Sequence, residues 1–191
     1  MKIGIDIDEI VAEFVRGYLK IYNKKHNKNR DYEEIFSYNL WESLNITKEE
    51  AIKIADEFYN SQHFQEIELV EGAIEAINKL GEENEIFFIT SRPGHIKDKT
   101  REFIMKHFSQ IKSEIIHSGD FWGGLGSRTK AQICSELKLD FMIEDNKSYS
   151  QEIAKSGIKV FLMDKPWNIG VEESNNLIRV KNWEEVMNNL I

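Results

Sequence analysis

Apolar positions along this chain follow two rhythms. The first is a set of short β-branched runs, opening with Lys2-Ile3-Gly4-Ile5-Asp6-Ile7-Asp8 and returning at 85–91, 114–117, 140–145 and 158–163. Runs of that length without helical spacing read as strands covered on both faces. The second rhythm recurs at every third and fourth position. Ile74, Ile77 and Leu80 mark a helix ending near Gly81, and helices follow over about 97–107, from Lys130 to Leu137, and up to Gly157. Strands separated by helices of ordinary length predict an α/β fold with a right-handed, doubly wound parallel sheet.

Residues 13–70 break the alternation. Phe14, Val15, Tyr18, Leu19 and Tyr22 share one helical face, with Lys20, Lys24 and Lys25 opposite. Asn27 to Asp31 is a polar break. Tyr32 to Leu44 is rich in aromatics (Tyr32, Phe36, Tyr38, Trp41) but has no clean period, and is expected to be irregular or short-helical. Thr47-Lys48-Glu49-Glu50 is a capping box opening a helix to about Asn60, with Ala51, Ile54, Ala55 and Phe58 inward. Nothing here has a strand pattern. The expected organisation is therefore a core of 1–12 and 71–191 carrying a helical insertion, 13–70, after the first strand. A second capping box, Asn182-Trp183-Glu184-Glu185, starts a terminal helix.

The polar residues that interrupt the strand ends carry the chemistry. Side chains alternate along a strand, so Asp6 and Asp8 are expected on the same side, with Ile7 in the core. Two adjacent acids repel and are costly to desolvate, which invites a divalent cation with oxygen ligands, Mg²⁺ first. Taken alone, Asp-x-Asp reads as readily as a solvated turn. Three more polar groups stand at comparable positions: Thr90-Ser91, Lys130 at a helix start, and Glu144-Asp145. Ligands of open parallel sheets bind outside the carboxyl ends of the strands, so these residues are candidates for one shared site.

Composition narrows the setting. The 191 residues suit one domain, or one with a small insertion, and 41% hydrophobic with 30% charged residues is globular usage. No apolar run approaches a membrane span, and the first strand carries acids by Asp6 where a signal peptide would be apolar. The single cysteine, Cys134, excludes an internal disulfide and a cysteine metal site, and its helical position suggests a buried structural thiol. These features point to the cytoplasm. A net charge of −8 argues against a nucleic-acid polymer, yet says little against one small phosphorylated substrate, where local charge decides. The glycine-rich run 119–127 has neither P-loop nor dinucleotide spacing and reads as a loop beside the site.

The ordered set Asp-x-Asp, Thr-Ser, Lys, Glu-Asp resembles the haloacid dehalogenase (HAD) superfamily of phosphatases, and within it the 5′(3′)-deoxyribonucleotidase-like branch and its bacterial nucleotidases. The stretch from Asp6 to Phe14 looks like that branch's opening motif, and Phe88-Ile89-Thr90-Ser91-Arg92-Pro93 like its second. Asp164-Lys165-Pro166-Trp167-Asn168 and Arg179-Val180-Lys181-Asn182-Trp183 are similar to its C-terminal region. The resemblance implies a Rossmann-like core with 13–70 as a helical cap, and a Mg²⁺-dependent phosphomonoesterase. Asp6 matches the nucleophile that forms an aspartyl-phosphate, and Asp8 the general acid–base. Thr90 matches the residue bonded to the phosphoryl oxygens, and Lys130 the motif cation, with Arg128 as its rival. The implied Mg²⁺ shell is Asp6, the Asp8 backbone carbonyl and Asp145, with Glu144 reaching the metal directly or through water. Thr90, Ser91, Lys130, Phe14 and Arg92 are the implied substrate contacts, and Trp41, as an aromatic of the expected cap, is a further candidate to stack on a base. Phe14 serves equally well as an ordinary core residue, and His95 reads best as part of a solvated loop.

Two departures fall near the substrate. Glu9 stands where the family commonly has glycine, and Asn146 where its characterised deoxyribonucleotidases carry arginine. The implied activity is hydrolysis of (deoxy)nucleoside monophosphates. Another small phosphoester, such as a sugar phosphate, is the alternative substrate. A phospho-accepting receiver-type domain is the alternative of another class. Against it stand the acid pair on the first strand, the helical insertion and the second acid pair near the C-terminus.

Overall fold

The computed structural model describes residues 1–119 and 128–190. The loop expected over 119–127 lies outside them apart from Gly119. Six parallel strands form one sheet: β1 (Lys2–Ile5), β2 (Glu85–Thr90), β3 (Ser113–His117), β4 (Phe141–Glu144), β5 (Lys159–Met163) and β6 (Leu177–Val180), in the order β3-β2-β1-β4-β5-β6. The order runs outward from β1 in both directions, so the crevice between β1 and β4 is the topological switch point. Gly4 lets β1 lie close to its neighbour, because a Cβ there would meet the Met142 sulfur at 2.5 Å and Leu139 at 2.6 Å.

Alternation along the strands supplies both faces. Ile3, Ile5, Phe88, Ile143 and Phe161 belong to one buried cluster, while Phe87, Ile89, Met142, Val160 and Leu162 belong to another. The first cluster takes in α5 (Ala73–Gly81), α6 (Lys97–Phe108) and α9 (Trp183–Asn188). The second takes in α7 (Lys130–Leu137) and α8 (Lys147–Lys155). This is the doubly wound α/β arrangement expected from the sequence.

Two details of the core differ from expectation. The strand β6 had no counterpart in the predicted elements. It is a short edge strand with only Leu177 and Val180 buried, and its Arg179 breaks the apolar run. The strand β1 ends at Ile5, so Asp6 and Asp8 both lie beyond it, Asp8 in an isolated bridge with Ala12.

Between β1 and α5 lie four helices and no strand of the sheet: α1 (Phe14–His26), α2 (Leu40–Leu44), α3 (Lys48–Tyr59) and α4 (Gln62–Gln65), plus a 3₁₀ turn at Tyr32–Glu34. Gly17 on α1 admits the Phe58 ring of α3, which lies 2.5 Å from where a Cβ would be. The box at Thr47 forms by half. Thr47 accepts from the Glu50 amide at 3.1 Å, while the Glu50 carboxylate sits 3.4 Å from the His26 ring. At the last helix Asn182 accepts from the Glu185 amide at 3.0 Å, but Glu185 accepts from the Lys181 amide, one residue early. The inserted segment enters and leaves beside itself: Val70 N–H donates to Val11 O at 3.0 Å, and Glu13 N–H to Glu68 O at 2.9 Å. Among the described residues no helix is long and apolar enough to cross a membrane.

Candidate active site

The carboxyl ends of β1, β2 and β4 gather the polar residues named above. Asp6 follows β1 directly and is tied to β4 by its amide, which donates to Ile143 O at 3.0 Å. Lys130 is the first residue of α7, a helix set by a reciprocal Thr129–Gln132 capping box that the sequence pattern had not revealed. Its ammonium lies 2.8 Å from Asp6 Oδ1 and 2.9 Å from Glu144 Oε2, and all three side chains are buried. Arg128 points away, paired with Glu136 at 2.7 Å on the surface. Glu144 accepts a second bond from the Asn146 amide at 3.1 Å, and Asn146 itself caps α8.

Asp145 completes the cluster. One carboxylate oxygen accepts from the Trp167 indole at 2.8 Å, and its other oxygen, Oδ1, is buried with no hydrogen-bond partner among the described residues. Ligand oxygens of Asp6, Glu144 and Asp145 all lie within 4.8 Å of one another. Three carboxylates against one lysine, with one oxygen unsatisfied, fit a hard divalent cation such as Mg²⁺. The Asp8 carboxylate is not part of this cluster. Among the described residues its partner is Arg92, which grips both of its oxygens at 2.7–3.1 Å.

Burial governs the charges. It pushes the Asp6 carboxyl up to about 8, helped by repulsion from Glu144 and Asp8 and opposed by Lys130. Asp145 is raised well above the usual carboxylate range by burial, then by Glu144 and Asp6. Burial alone would lower Lys130, but Asp6 and Glu144 outweigh it and hold the ammonium charged well above its ordinary value. Cys134 is buried and its thiol pushed up to about 12, as suits a structural residue.

Over this floor lies a cavity of about 40 Å³. Asp6, Asp8, Glu9, Ser91, Arg92 and Asp145 line its polar side, and Phe14, Val15, Tyr38, Leu40, Tyr59 and Trp167 its apolar side. Of the two hydroxyl residues at the end of β2, Ser91 lines the cavity. The Thr90 hydroxyl oxygen lies outside the lining and accepts from the Arg92 amide at 3.1 Å, shaping the turn. Phe14 both packs edge-on against Phe58 and lines the cavity. Trp41, expected to touch substrate, stands outside the lining, half-buried with the Lys48 ammonium 5.4 Å from its ring. Phe36 is exposed, and the His95 ring lies 3.1 Å from Asp56.

Glu9 keeps a glycine-like backbone, with φ at 65°, and turns its side chain inward. It accepts from the Val15 amide at 2.7 Å and the Tyr32 hydroxyl at 2.9 Å, so it pins the start of α1. Tyr59, Leu40 and Trp167 were not among the expected site residues. Tyr59 ends the helix whose inward face was read only to Phe58, and Trp167 lies in the segment similar to the family's C-terminal region.

Comparison with known proteins agrees with this fold. The hydrolase SP0104 of Streptococcus pneumoniae, of the haloacid dehalogenase-like family, shares the fold with a TM-score of 0.68 at 15% identity, covering 100% of this chain and 98% of that one. YfnB of Bacillus subtilis, solved bound to magnesium, has a TM-score of 0.64 at 13% identity, with 99% and 97% covered. Nucleotidase CA_C3379 of Clostridium acetobutylicum is 27% identical over 186 residues, which is 97% of this chain and 91% of that protein. The family model described as 5′ nucleotidase, deoxy (pyrimidine), cytosolic type C protein (NT5C) matches residues 1–191, so the chain belongs to that family and, with it, to the HAD-fold hydrolases of phosphoric monoesters.

Proposed function

We propose that this protein is a Mg²⁺-dependent nucleotidase that hydrolyses (deoxy)nucleoside monophosphates through an aspartyl-phosphate on Asp6, with residues 13–70 acting as a cap. The observation that carries this reading is the cluster of Asp6, Glu144 and Asp145 around one unsatisfied oxygen, braced by Lys130 and facing an aromatic-lined cavity. Asp6, Asp145, Glu144 and the Asp8 backbone carbonyl would hold the cation. When bound, it would neutralise phosphate charge and keep the acids ionised. The family's cytosolic description supports a cytoplasmic location.

The residues divide the reaction between them. Asp6 attacks phosphorus as the bond to the leaving alkoxide breaks, and Asp8 gives that alkoxide a proton. Water then attacks the aspartyl-phosphate, Asp8 takes its proton, and the bond to Asp6 breaks to release inorganic phosphate. Lys130 holds positive charge beside the nucleophile throughout. Ser91 and the Arg92 Nη1, which is buried without a hydrogen-bond partner among the described residues, are donors available to phosphoryl oxygens. Asp8 must leave the Arg92 pair to carry a proton, and an arriving phosphate competes for that same guanidinium.

A chelator should abolish phosphate release, and Mg²⁺ should restore it. Mg²⁺ should also raise Tm, by more at about pH 9 than at about pH 6. Asp6 and Asp145 have raised pKa values, so their contribution to stability is present at acid pH and is lost as pH rises through about 8 for Asp6. The metal binds only the ionised acids and recovers that loss. Equal shifts at both pH values would remove these acids from the metal site.

Substrate choice rests on the cavity's apolar side. Tyr38→Ala should raise KM for nucleoside monophosphates about 5- to 150-fold, the meaning of roughly 1–3 kcal/mol of base stacking. Hydrolysis of para-nitrophenyl phosphate should change much less, and Trp41→Ala, outside the lining, should leave both alone. Equal losses on both substrates, or a wild-type preference for sugar phosphates, would defeat the nucleotidase reading while leaving the phosphatase core standing.

A further inference from the structure

The segment Asp164-Lys165-Pro166-Trp167-Asn168 has no part in the chemistry described so far, yet it closes around one acid of the cluster. Pro166 opens a 3₁₀ turn, Pro166–Asn168, directly after β5, where its fixed φ suits the first helical position. The turn is locked by Asn168, a fully buried side chain. Its amide nitrogen donates at 2.8 Å both to the Asp145 backbone carbonyl and to the Met163 carbonyl, and its oxygen accepts from the Lys165 amide at 3.1 Å. Arg179 of β6 donates to the Asn168 carbonyl at 2.9 Å and to the Val171 carbonyl at 3.2 Å. The otherwise unexpected edge strand thus braces the turn.

This framework delivers one contact. The Trp167 indole N–H donates to Asp145 Oδ2 at 2.8 Å, while Asp145 Oδ1 is buried with no hydrogen-bond partner among the described residues. The ring is held from its other side by Tyr32, which packs edge-on at 5.6 Å and donates its hydroxyl to Glu9. A buried indole N–H needs an acceptor in any case, and here the acceptor is one oxygen of an acid of the cluster. A carboxylate satisfied on one oxygen alone is in turn aimed by that bond.

We infer that Trp167 is the positioning residue for Asp145: its indole N–H, set by the Pro166–Asn168 turn, holds one carboxylate oxygen so that the other is presented to the cation. The inference rests on the metal-dependent reading above and adds a duty for the C-terminal motif.

Trp167→Phe keeps an aromatic ring and removes the donor. Its Mg²⁺ dissociation constant, measured by calorimetry on the full chain, should rise about 10- to 100-fold, the usual effect of losing a partner that orients a metal ligand. Added Mg²⁺ should recover turnover of para-nitrophenyl phosphate by the variant in step with the metal bound, so that the loss follows metal occupancy. Unchanged Mg²⁺ affinity in a folded Trp167→Phe, beside clear binding by the wild type, would overturn this inference alone. Absence of Mg²⁺ binding by the wild type would overturn the metal reading and this inference with it. Should the variant fail to fold, the wild-type indole N–H signal, identified by its proximity to the Tyr32 ring, supplies the test. It should exchange slowly and shift on Mg²⁺ titration, and a fast-exchanging signal indifferent to Mg²⁺ would overturn the assignment.

Discussion

Asp6→Asn is expected to reduce phosphate release by roughly 10⁴-fold or more while the protein stays folded. An amide cannot form the acyl-phosphate, so the loss falls on kcat and is not recovered by more substrate or more Mg²⁺. Folding should survive because Asn fills the same space and its carbonyl still accepts from Lys130, now 2.8 Å from Asp6 Oδ1. The substitution should even help the metal-free protein in alkali. The buried Asp6 carboxyl titrates at about 8, above its ordinary value, so the wild type loses stability as pH rises through that value. Asn mimics the protonated form and avoids the loss. Phosphate release and thermal unfolding with chelator across pH read the two effects separately. Near-normal turnover in a folded Asp6→Asn would end the covalent mechanism.

Lys130→Met should act chiefly on stability. Its ammonium is the shared partner of Asp6 and Glu144, and all three groups are buried. Removing one member of such a group leaves uncompensated charge behind, at about 3–5 kcal/mol when the remaining carboxylates are ionised. Urea unfolding of metal-free protein above about pH 8, where Asp6 is ionised, should show that deficit as a lower midpoint with an unchanged slope. The deficit should shrink as pH falls, because protonation of Asp6 takes over the neutralising work of the lysine. Added Mg²⁺ should recover part of it by supplying another cation to the same acids. A midpoint equal to the wild type's at every pH would show that the triad does not support the fold.

The strand ends were legible because period and composition are local properties. Apolar runs at Ile3 to Ile7, Ile86 to Ile89 and Phe141 to Ile143, each followed by acids or hydroxyls, place polar groups at the carboxyl edge with no further knowledge. The turn after β2 was not legible. The strand stops at Thr90, so which hydroxyl faces the cavity is decided beyond its end: Ser91 lines it, and the Thr90 oxygen accepts from the Arg92 amide. The Asp8–Arg92 and Asp145–Trp167 pairs join residues 84 and 22 positions apart, and no spacing rule reaches them. Trp41 was placed by composition alone. Aromatic enrichment shows that a segment has rings to bury, but not which of them faces a ligand. In β6, four residues with a central arginine give too little period to separate an edge strand from a loop.

The cavity over the acids is about 40 Å³, whereas pockets that hold a small organic ligand run to about 300–1,000 Å³. Three contacts join the inserted helices to the core on one side. His95 approaches Asp56 at 3.1 Å, and the Lys99 ammonium donates to Tyr59 O at 2.8 Å and Asn60 Oδ1 at 2.7 Å. On the nucleotidase reading proposed above, substrate entry and product escape would both require these contacts to part. The rate of that separation would then set a ceiling on kcat however fast the phosphorus chemistry becomes. A thicker solvent that drags on the helices would slow turnover without altering a single catalytic group.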